Sequence, residues 1–188
     1  MSSSSHYFIA IPLPELLREQ LSNWQDELRT KVSYKQWPHK QDLHITLKFL
    51  GAVADNKLDA LQKELKRVEH INGFSTFAGQ LGTFGNYQQP RVLWAGVEPS
   101  SDLLHLYELV ESCAANAGFQ IERRPYRPHI TLAKKWANDS IVESIEVIKQ
   151  KFSEKQVLYV GEIALYEIHP TRNPKYNAIS RYRLRGGG

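Results

Sequence analysis

The tetrapeptide His44-Ile45-Thr46-Leu47 returns 85 positions later as His129-Ile130-Thr131-Leu132. In an extended strand, successive side chains point to opposite faces of the sheet. The imidazole and the hydroxyl of each copy are therefore expected on one face, and the two aliphatic side chains on the other. The aliphatic face can pack against helices, which would hold the polar pair rigidly at a surface cleft.

The elements around the two tetrapeptides follow one order, which predicts an internal repeat over about residues 6–85 and 91–169. Apolar periodicity and turn residues predict strand, helix, motif strand, helix and strand in each half. In the first half these elements are expected at 6–11, 13–30, 43–50, 55–72 and 74–84. In the second half they are expected at 92–97, at 101–117, from 129, from about 140 and at 157–168, and a last strand follows at 178–184.

Particular residues are expected to begin, end or bury these helices. Asp55 is the expected N-cap of the second helix, and Asp139 or Ser140 that of the fourth. Gly118 is expected to end the third helix. The first helix should bury one stripe of apolar residues that includes Leu16.

This pattern predicts an α+β fold in a single bilobal domain over residues 1–188. Hairpin-like steps between strands at 84–92 and 168–178 favour largely antiparallel sheets flanked by helices. A pseudo-two-fold axis would relate the two lobes. Such an axis would place His44 and His129 across one cleft.

Composition narrows the class of protein. The chain has 188 residues, of which 41% are hydrophobic, so it can bury a substantial core. Its single cysteine, Cys113, allows no internal disulfide and favours a reducing compartment. No apolar run approaches the ~20 residues that cross a membrane, and the N-terminal residues lack a leader pattern. We therefore expect a cytoplasmic protein, and a monomer because no heptad pattern is present.

The paired motifs suit acid and base chemistry at a phosphate. Histidine has an unperturbed pKa of ~6.5, so it can accept or donate a proton near neutral pH. One imidazole would activate a water or hydroxyl while the other protonates the leaving oxygen in an in-line displacement. Thr46 and Thr131 would donate hydrogen bonds to the non-bridging oxygens, and Lys48 would share their face if alternation holds. The net charge of +4 fits an anionic partner such as RNA.

Other interpretations stay open at this stage. A single His-Ile-Thr-Leu is more often an ordinary half-buried strand, and only its repetition at matching places favours a catalytic site. Two histidines can bind a metal, but no third ligand lies at a suitable spacing. A nucleotide-binding or RNA-binding module with little turnover is a further alternative. The other histidines have no repeated partner and are expected at the surface or in ordinary polar contacts.

Two longer stretches carry a family resemblance. Residues 43–51, LHITLKFLG, and 124–133, RPYRPHITLA, resemble the 2H phosphoesterase superfamily, which is named for two His-x-Thr/Ser-x motifs. More closely, they resemble the RNA 2′,3′-cyclic phosphodiesterases of bacteria and archaea, also called 2′-5′ RNA ligases. The opening residues 7–14, YFIAIPLP, fit the same group, so the resemblance covers essentially the whole chain.

The resemblance implies a fold, an activity and a set of roles. It implies a bilobal α+β fold and hydrolysis of a terminal 2′,3′-cyclic phosphate to a 2′-phosphomonoester without a cofactor, with ligation as the reverse reaction. His44 would be the proton donor and His129 the proton acceptor, although the repeat allows the opposite assignment. RNA ends and small cyclic-phosphate nucleotides both remain possible substrates.

The resemblance also points to side chains beyond the two motifs. Arg124 would approach the phosphate or the RNA backbone. Tyr126, Phe8 or Trp37 would stack on a base, with core packing the simpler expectation for Phe8. Candidates for RNA contact are the basic residues around the second motif, Arg123, Arg127, Lys134 and Lys135.

Overall fold

Two antiparallel sheets carry the two tetrapeptides, one on each sheet. The computed structural model describes residues 5–137 and 143–186. The strands are β1 His6–Pro12, β2 Tyr34–Gln36, β3 His44–Ala52, β4 Phe74–Gly85, β5 Pro90–Val97, β6 His129–Trp136, β7 Lys155–Val160, β8 Glu162–Ile168 and β9 Tyr176–Arg183. The α-helices are α1 Glu15–Leu28, α2 Asp55–Leu65, α3 Ser101–Asn116 and α4 Ile145–Lys151, and short 3-10 helices span Lys40–Asp42 and Lys66–His70.

The strand order confirms the predicted α+β class with antiparallel sheets. One sheet, sheet A, has the order β3-β1-β8-β9, and the other, sheet B, has the order β2-β6-β5-β4-β7. Every neighbouring pair within these named strands is antiparallel. The two expected hairpin-like steps are the β4–β5 and β8–β9 pairs.

The two halves exchange strands between the sheets. The first half runs β1-α1-β2-β3-α2-β4 and the second runs β5-α3-β6-α4-β7-β8. However, β4 pairs with β5 in sheet B, while β8 pairs with β1 in sheet A. Strand β4 of the first half therefore lies in sheet B with the second motif strand, and strand β8 of the second half lies in sheet A with the first motif strand, which the linear order of elements does not reveal.

Local sequence accounts for α3, the longest helix in the described residues. The Ser100 hydroxyl accepts a hydrogen bond from the Leu103 N–H and caps the first turn of α3. Leu103, Leu106 and Val110 lie on one face of this helix and are fully buried. Gly118 follows the helix with φ +94°, a left-handed conformation that glycine adopts without strain. The predicted end of this helix is confirmed.

The structure differs from the sequence expectations in several elements. The strand expected at 157–168 is two strands in different sheets, separated at Gly161. Strand β2 was not expected, because its three residues carry too little pattern to detect. The second helix changes to a 3-10 helix after Leu65, and Asp55 is its first helical residue, with Ala54 at the N-cap position. Leu16 is 84% exposed, since the buried stripe is centred on Leu17 and Leu21.

The fourth helix begins later than expected. It starts at Ile145, and the Ser144 hydroxyl accepts a hydrogen bond from the Val147 N–H as its cap. Asp139, Ser140 and Ile141 lie outside the described residues. Within residues 5–137 and 143–186, no helix combines the length and the apolar character that crossing a bilayer requires.

A β-bulge at the last residue of the first tetrapeptide reverses the alternation of side chains. Ala10 pairs with Thr46 but Ile9 pairs with Lys48, so Leu47 is the additional residue of β3. Lys48 is consequently buried on the same side as Leu47, and not on the face of His44. The expectation that Lys48 shares the face of the polar pair failed, because it assumed unbroken alternation.

Lys48 instead forms a buried ion pair. Its Nζ donates to Glu111 Oε1 at 2.8 Å, to Glu111 Oε2 at 3.1 Å and to the Gln120 carbonyl at 2.9 Å. Glu111 Oε2 also accepts a hydrogen bond from the Glu122 N–H at 3.0 Å. The pair therefore joins the first motif strand to α3 and to the segment that leads into the second motif.

Neutralising Glu111 should destabilise the protein strongly. The Glu111→Gln substitution leaves a buried ammonium without a counter-charge, which typically costs about 3–5 kcal/mol of unfolding free energy. Urea unfolding followed by circular dichroism measures this change. The paired variant Lys48→Met/Glu111→Leu should recover most of the loss, and a single variant within about 0.5 kcal/mol of the parent would contradict a structural role for the pair.

Candidate active site

Both tetrapeptides line one cleft between β3 of sheet A and β6 of sheet B. The cleft has a volume of ≈ 530 Å³, within the range typical of small-ligand sites. Residues on its walls include His44, Thr46, Phe49, His129, Thr131 and Lys134. The structure therefore brings together the two imidazoles and the two hydroxyls that the sequence singled out.

Each imidazole is oriented by a backbone carbonyl two residues earlier in the chain. His44 Nδ1 lies 2.7 Å from the Asp42 carbonyl oxygen, and His129 Nδ1 lies 2.7 Å from the Arg127 carbonyl oxygen. A carbonyl only accepts hydrogen bonds, so Nδ1 carries the hydrogen in both rings. In each neutral ring, Nε2 is consequently the basic nitrogen.

The two Nε2 atoms differ in their partners. His44 Nε2 lies 2.9 Å from the Thr46 hydroxyl, which donates to it when the ring is neutral. His129 Nε2 has no such partner in the described part of the chain. Aromatic rings hold both imidazoles: Phe8 lies 4.8 Å from His44, and Phe84 lies 4.9 Å from His129, measured between ring centroids.

Burial makes both histidines weak bases in the unliganded protein. Loss of hydration lowers the pKa of His44 to about 4, although the Asp42 carbonyl and carboxylate oppose this effect. Positive charge on His129 and Lys134 lowers the pKa of His44 further. Burial also lowers the pKa of His129, against the hydrogen bond to the Arg127 carbonyl. Burial therefore favours the neutral form of both rings before an anion binds.

Tyr126 joins the segment before the second motif to the strand of the first motif. Its hydroxyl donates to the Thr46 carbonyl oxygen at 3.0 Å, and burial raises its pKa. Its ring stacks on Tyr107 with centroids 4.0 Å apart and planes 5° apart. These contacts hold Thr46 in place, and stacking of Tyr126 on a base stays a prediction.

Arg124 and Lys48 line the cleft, but both are already engaged by carboxylates. Arg124 is 87% exposed and donates from Nε and Nη2 to the two oxygens of Glu122, each at 3.1 Å. Lys48 is held by Glu111 and the Gln120 carbonyl. Contact of either side chain with a phosphate stays a prediction.

The other basic candidates divide into two groups. Arg127 and Lys134 line the cleft, whereas Arg123 and Lys135 lie outside its walls. Burial lowers the pKa of Lys134, as do the nearby charges of Lys175 and Lys135. Lys134 is thus a partly desolvated cation on the same strand as His129.

The other two aromatic residues suggested for base stacking, Phe8 and Trp37, lie in different surroundings, and neither lines the cleft. Phe8 is 1% exposed and packs in the core, as the simpler expectation held. Trp37 packs edge-on against Tyr34 with ring centroids 6.0 Å apart, and the Arg29 guanidinium lies 5.2 Å from its centroid. Its neighbour Pro38 lines the cleft and Trp37 does not, because the indole turns toward this cluster.

Asp42 is a functional residue that sequence reasoning missed. Its carbonyl orients His44, and its buried carboxylate accepts hydrogen bonds from the N–H groups of Lys175 and Tyr176 at 2.8 and 3.2 Å. The Tyr176 ring in turn lies 5.4 Å from the His44 ring, between centroids. The position of Asp42 two residues before His44 is the only sequence signal that could have indicated this role.

Comparisons with known proteins agree with this geometry. The family model described as the 2′-5′ RNA ligase superfamily matches residues 17–172. A protein of Geobacillus stearothermophilus named RNA 2′,3′-cyclic phosphodiesterase is 34% identical over 183 residues, which are 97% of this chain and 58% of that protein. A Bacillus subtilis protein of the same name is 33% identical over 182 residues, which are 95% of this chain and 96% of that protein.

A solved structure extends the similarity to the fold. The crystal structure of Escherichia coli LigT complexed with 3′-AMP has a TM-score of 0.77 and 26% sequence identity. The match covers 97% of this chain and 99% of that one. The two His-x-Thr strands on one cleft, the bilobal antiparallel α+β architecture and these matches lead to one conclusion. This chain belongs to the 2′-5′ RNA ligase superfamily.

Proposed function

We propose that this protein is an RNA 2′,3′-cyclic phosphodiesterase that opens a terminal 2′,3′-cyclic phosphate to a 2′-phosphomonoester. The observation that carries the proposal is the pair of imidazoles on one cleft, each with Nδ1 fixed to a carbonyl, so that Nε2 is the nitrogen that exchanges a proton. The printed names of the relatives support the same activity.

The proposed reaction uses the two imidazoles on opposite sides of the phosphorus. His129 Nε2 accepts a proton from water as the water oxygen bonds to phosphorus. The bond from phosphorus to the 3′ oxygen breaks, and His44, which is protonated in the reactive form, donates its Nε2 proton to that oxygen. Thr46 and Thr131 donate hydrogen bonds to the non-bridging oxygens, where charge develops. Exchange of protons with solvent then restores both rings.

Charge in the cleft supports an anionic substrate. The three carboxylates on its walls are already engaged: Glu111 by Lys48, Glu122 by Arg124, and Asp42 by two backbone N–H groups. Three cations on its walls, Arg91, Arg127 and Lys134, have no carboxylate partner in residues 5–137 and 143–186. The surplus of positive charge favours binding of an RNA end or a nucleotide phosphate.

The proposal includes the domain organisation, the oligomeric state and the cellular compartment of the enzyme. We take residues 1–188 as one bilobal domain, because β4 and β8 each complete the sheet of the other half. The protein is proposed to act as a monomer. A cytoplasmic setting fits the single cysteine, Cys113, which is fully buried.

Hydrolysis should persist without added metal and should require both histidines. Incubating the protein in EDTA with an RNA that ends in a 2′,3′-cyclic phosphate should yield only the 2′-phosphate end, resolved from the 3′ isomer by chromatography. His44→Gln and His129→Gln should each lower kcat by about 10²–10⁴-fold, since each removes a proton-transfer group.

The exposed His105 lies outside this cleft and provides the matched control. The His105→Gln variant should keep full activity, and melting curves should show that all three variants are folded. Unchanged turnover in either motif variant, or no hydrolysis by the folded parent protein, would refute the proposed function.

The pH dependence of kcat/KM should be bell-shaped with its maximum below neutral pH. This parameter reports the free enzyme, in which the pKa of His44 is lowered to about 4 and that of His129 lies below 6.5. Because one ring must be protonated and the other neutral, activity should peak between these values and fall as pH rises above about 6.5. Initial rates at low substrate concentration measure the profile, and a kcat/KM that still rises between pH 7 and 8 would contradict it.

A further inference from the structure

Three lysines from two separate segments meet at the border of the cleft. Lys134 lines the cleft near the end of β6, and Lys135 follows it. Lys175 comes from the turn between β8 and β9, immediately before Tyr176, which also lines the cleft. Burial lowers the pKa of Lys134, and the charges of Lys175 and then Lys135 lower it further. The ammonium group of Lys175 therefore lies near that of Lys134, and we call these three residues the lysine cluster.

The backbone of Lys175 is fixed beside the first motif. Its N–H donates to the buried carboxylate of Asp42 at 2.8 Å, and its carbonyl accepts a hydrogen bond from the His169 N–H at 2.7 Å. The carbonyl of the same Asp42 orients the His44 ring. Because these contacts use only main-chain atoms of Lys175, its ammonium group stays available to a ligand.

No carboxylate forms an ion pair with the lysine cluster within residues 5–137 and 143–186. The Asp42 carboxylate already accepts two backbone N–H groups. Elsewhere on the cleft walls, the cations Lys48 and Arg124 are neutralised by Glu111 and Glu122. Like charges that are held together without a counter-ion attract an anion.

An RNA end carries a second phosphate, one sugar away from the reacting one. The cyclic phosphate joins the 2′ and 3′ oxygens of the terminal ribose, and the next phosphate lies on the 5′ oxygen of that ribose. Lys134 is on the cleft wall, and its charge reaches His44. Lys175 lies beyond Lys134 and outside the walls. That outward position suits the second phosphate when the first lies between the imidazoles.

We propose that Lys175 binds the phosphate on the 5′ oxygen of the terminal ribose. This inference rests on the proposed function. An ammonium group is a compact charge on a flexible stem, so it contacts a phosphate without reading the base. The phosphodiester of an RNA chain and the free 5′-phosphate of a nucleotide offer the same chemistry here. The contact makes the enzyme prefer either of them to a nucleoside cyclic phosphate without a 5′-phosphate.

The test compares three substrates that share the reacting atoms and the terminal adenosine. Adenosine 2′,3′-cyclic phosphate lacks a 5′-phosphate, 5′-phosphoadenosine 2′,3′-cyclic phosphate has a free one, and adenylyl-adenosine 2′,3′-cyclic phosphate has a phosphodiester. Lys175→Gln should lower kcat/KM by about 5- to 20-fold for the two substrates with a 5′-phosphate, and should leave the first substrate within about twofold.

Two further variants and the salt dependence isolate the charge. Lys175→Arg keeps the positive charge and should retain the parent values within about threefold. Lys63 is exposed on α2 outside the cleft, so Lys63→Gln is the matched control and should change no substrate. Added salt should lower kcat/KM for the dinucleotide less steeply in Lys175→Gln than in the parent protein, because one phosphate contact is lost.

The pattern of losses decides the proposal. A loss in Lys175→Gln that is confined to the dinucleotide supports it with an RNA chain as the source of the phosphate, and a loss confined to 5′-phosphoadenosine supports it with a nucleotide as the source. Equal losses for all three substrates would show that Lys175 only supports the first motif through Asp42. That result, or no loss for any substrate, would overturn the proposal.

Binding separates failure of this inference from failure of the proposed function. If the parent protein hydrolyses none of the substrates, calorimetry with adenosine 2′-monophosphate and adenosine 2′,5′-bisphosphate tests the phosphate contact alone. A preference for the bisphosphate that disappears in Lys175→Gln supports the contact even then. Equal affinities of the parent protein for the two ligands would refute it.

Discussion

The backbone pairing of each motif strand with the strand beside it is the constraint on which the cleft depends. β3 is held by β1 and β6 by β5, and in both pairs a bulge lies at the last residue of the tetrapeptide. Before the bulge, alternation places histidine and threonine on the cleft face. The carbonyl two residues before each histidine then fixes its Nδ1, at 2.7 Å in both copies. Neither imidazole needs a carboxylate to set its tautomer.

Because the two halves exchange strands, both halves are needed to form the cleft. Sheet A needs β8 from the second half, and sheet B needs β4 from the first. Shorter connections add to this coupling, since Tyr126 binds the Thr46 carbonyl and the Lys48–Glu111 pair binds the segment at residues 120–122. A displacement of one motif strand would therefore be transmitted to the segment that carries the other motif.

The two halves of the repeat carry chemically different side chains at equivalent positions of their motif strands. Lys48 corresponds to Ala133, and Phe49 corresponds to Lys134. Only His44 has its Nε2 paired with the threonine of its own motif in the described residues. A reaction with a distinct leaving group and nucleophile needs such differences, because two identical halves would bind a substrate equally well in both directions.

The sequence by itself determined the repeat, the α+β class and the identity of the four polar motif residues. These follow from local patterns: an identical tetrapeptide, helical stripes such as Leu103 and Leu106, and the glycine that ends the third helix, Gly118. Only the tertiary structure decided that Lys48 turns inward, that Phe49 faces the cleft and that residues 157–168 divide between two sheets. A bulge arises from pairing with another strand and a change of sheet from packing of distant segments, so neither leaves a periodic signal in the chain.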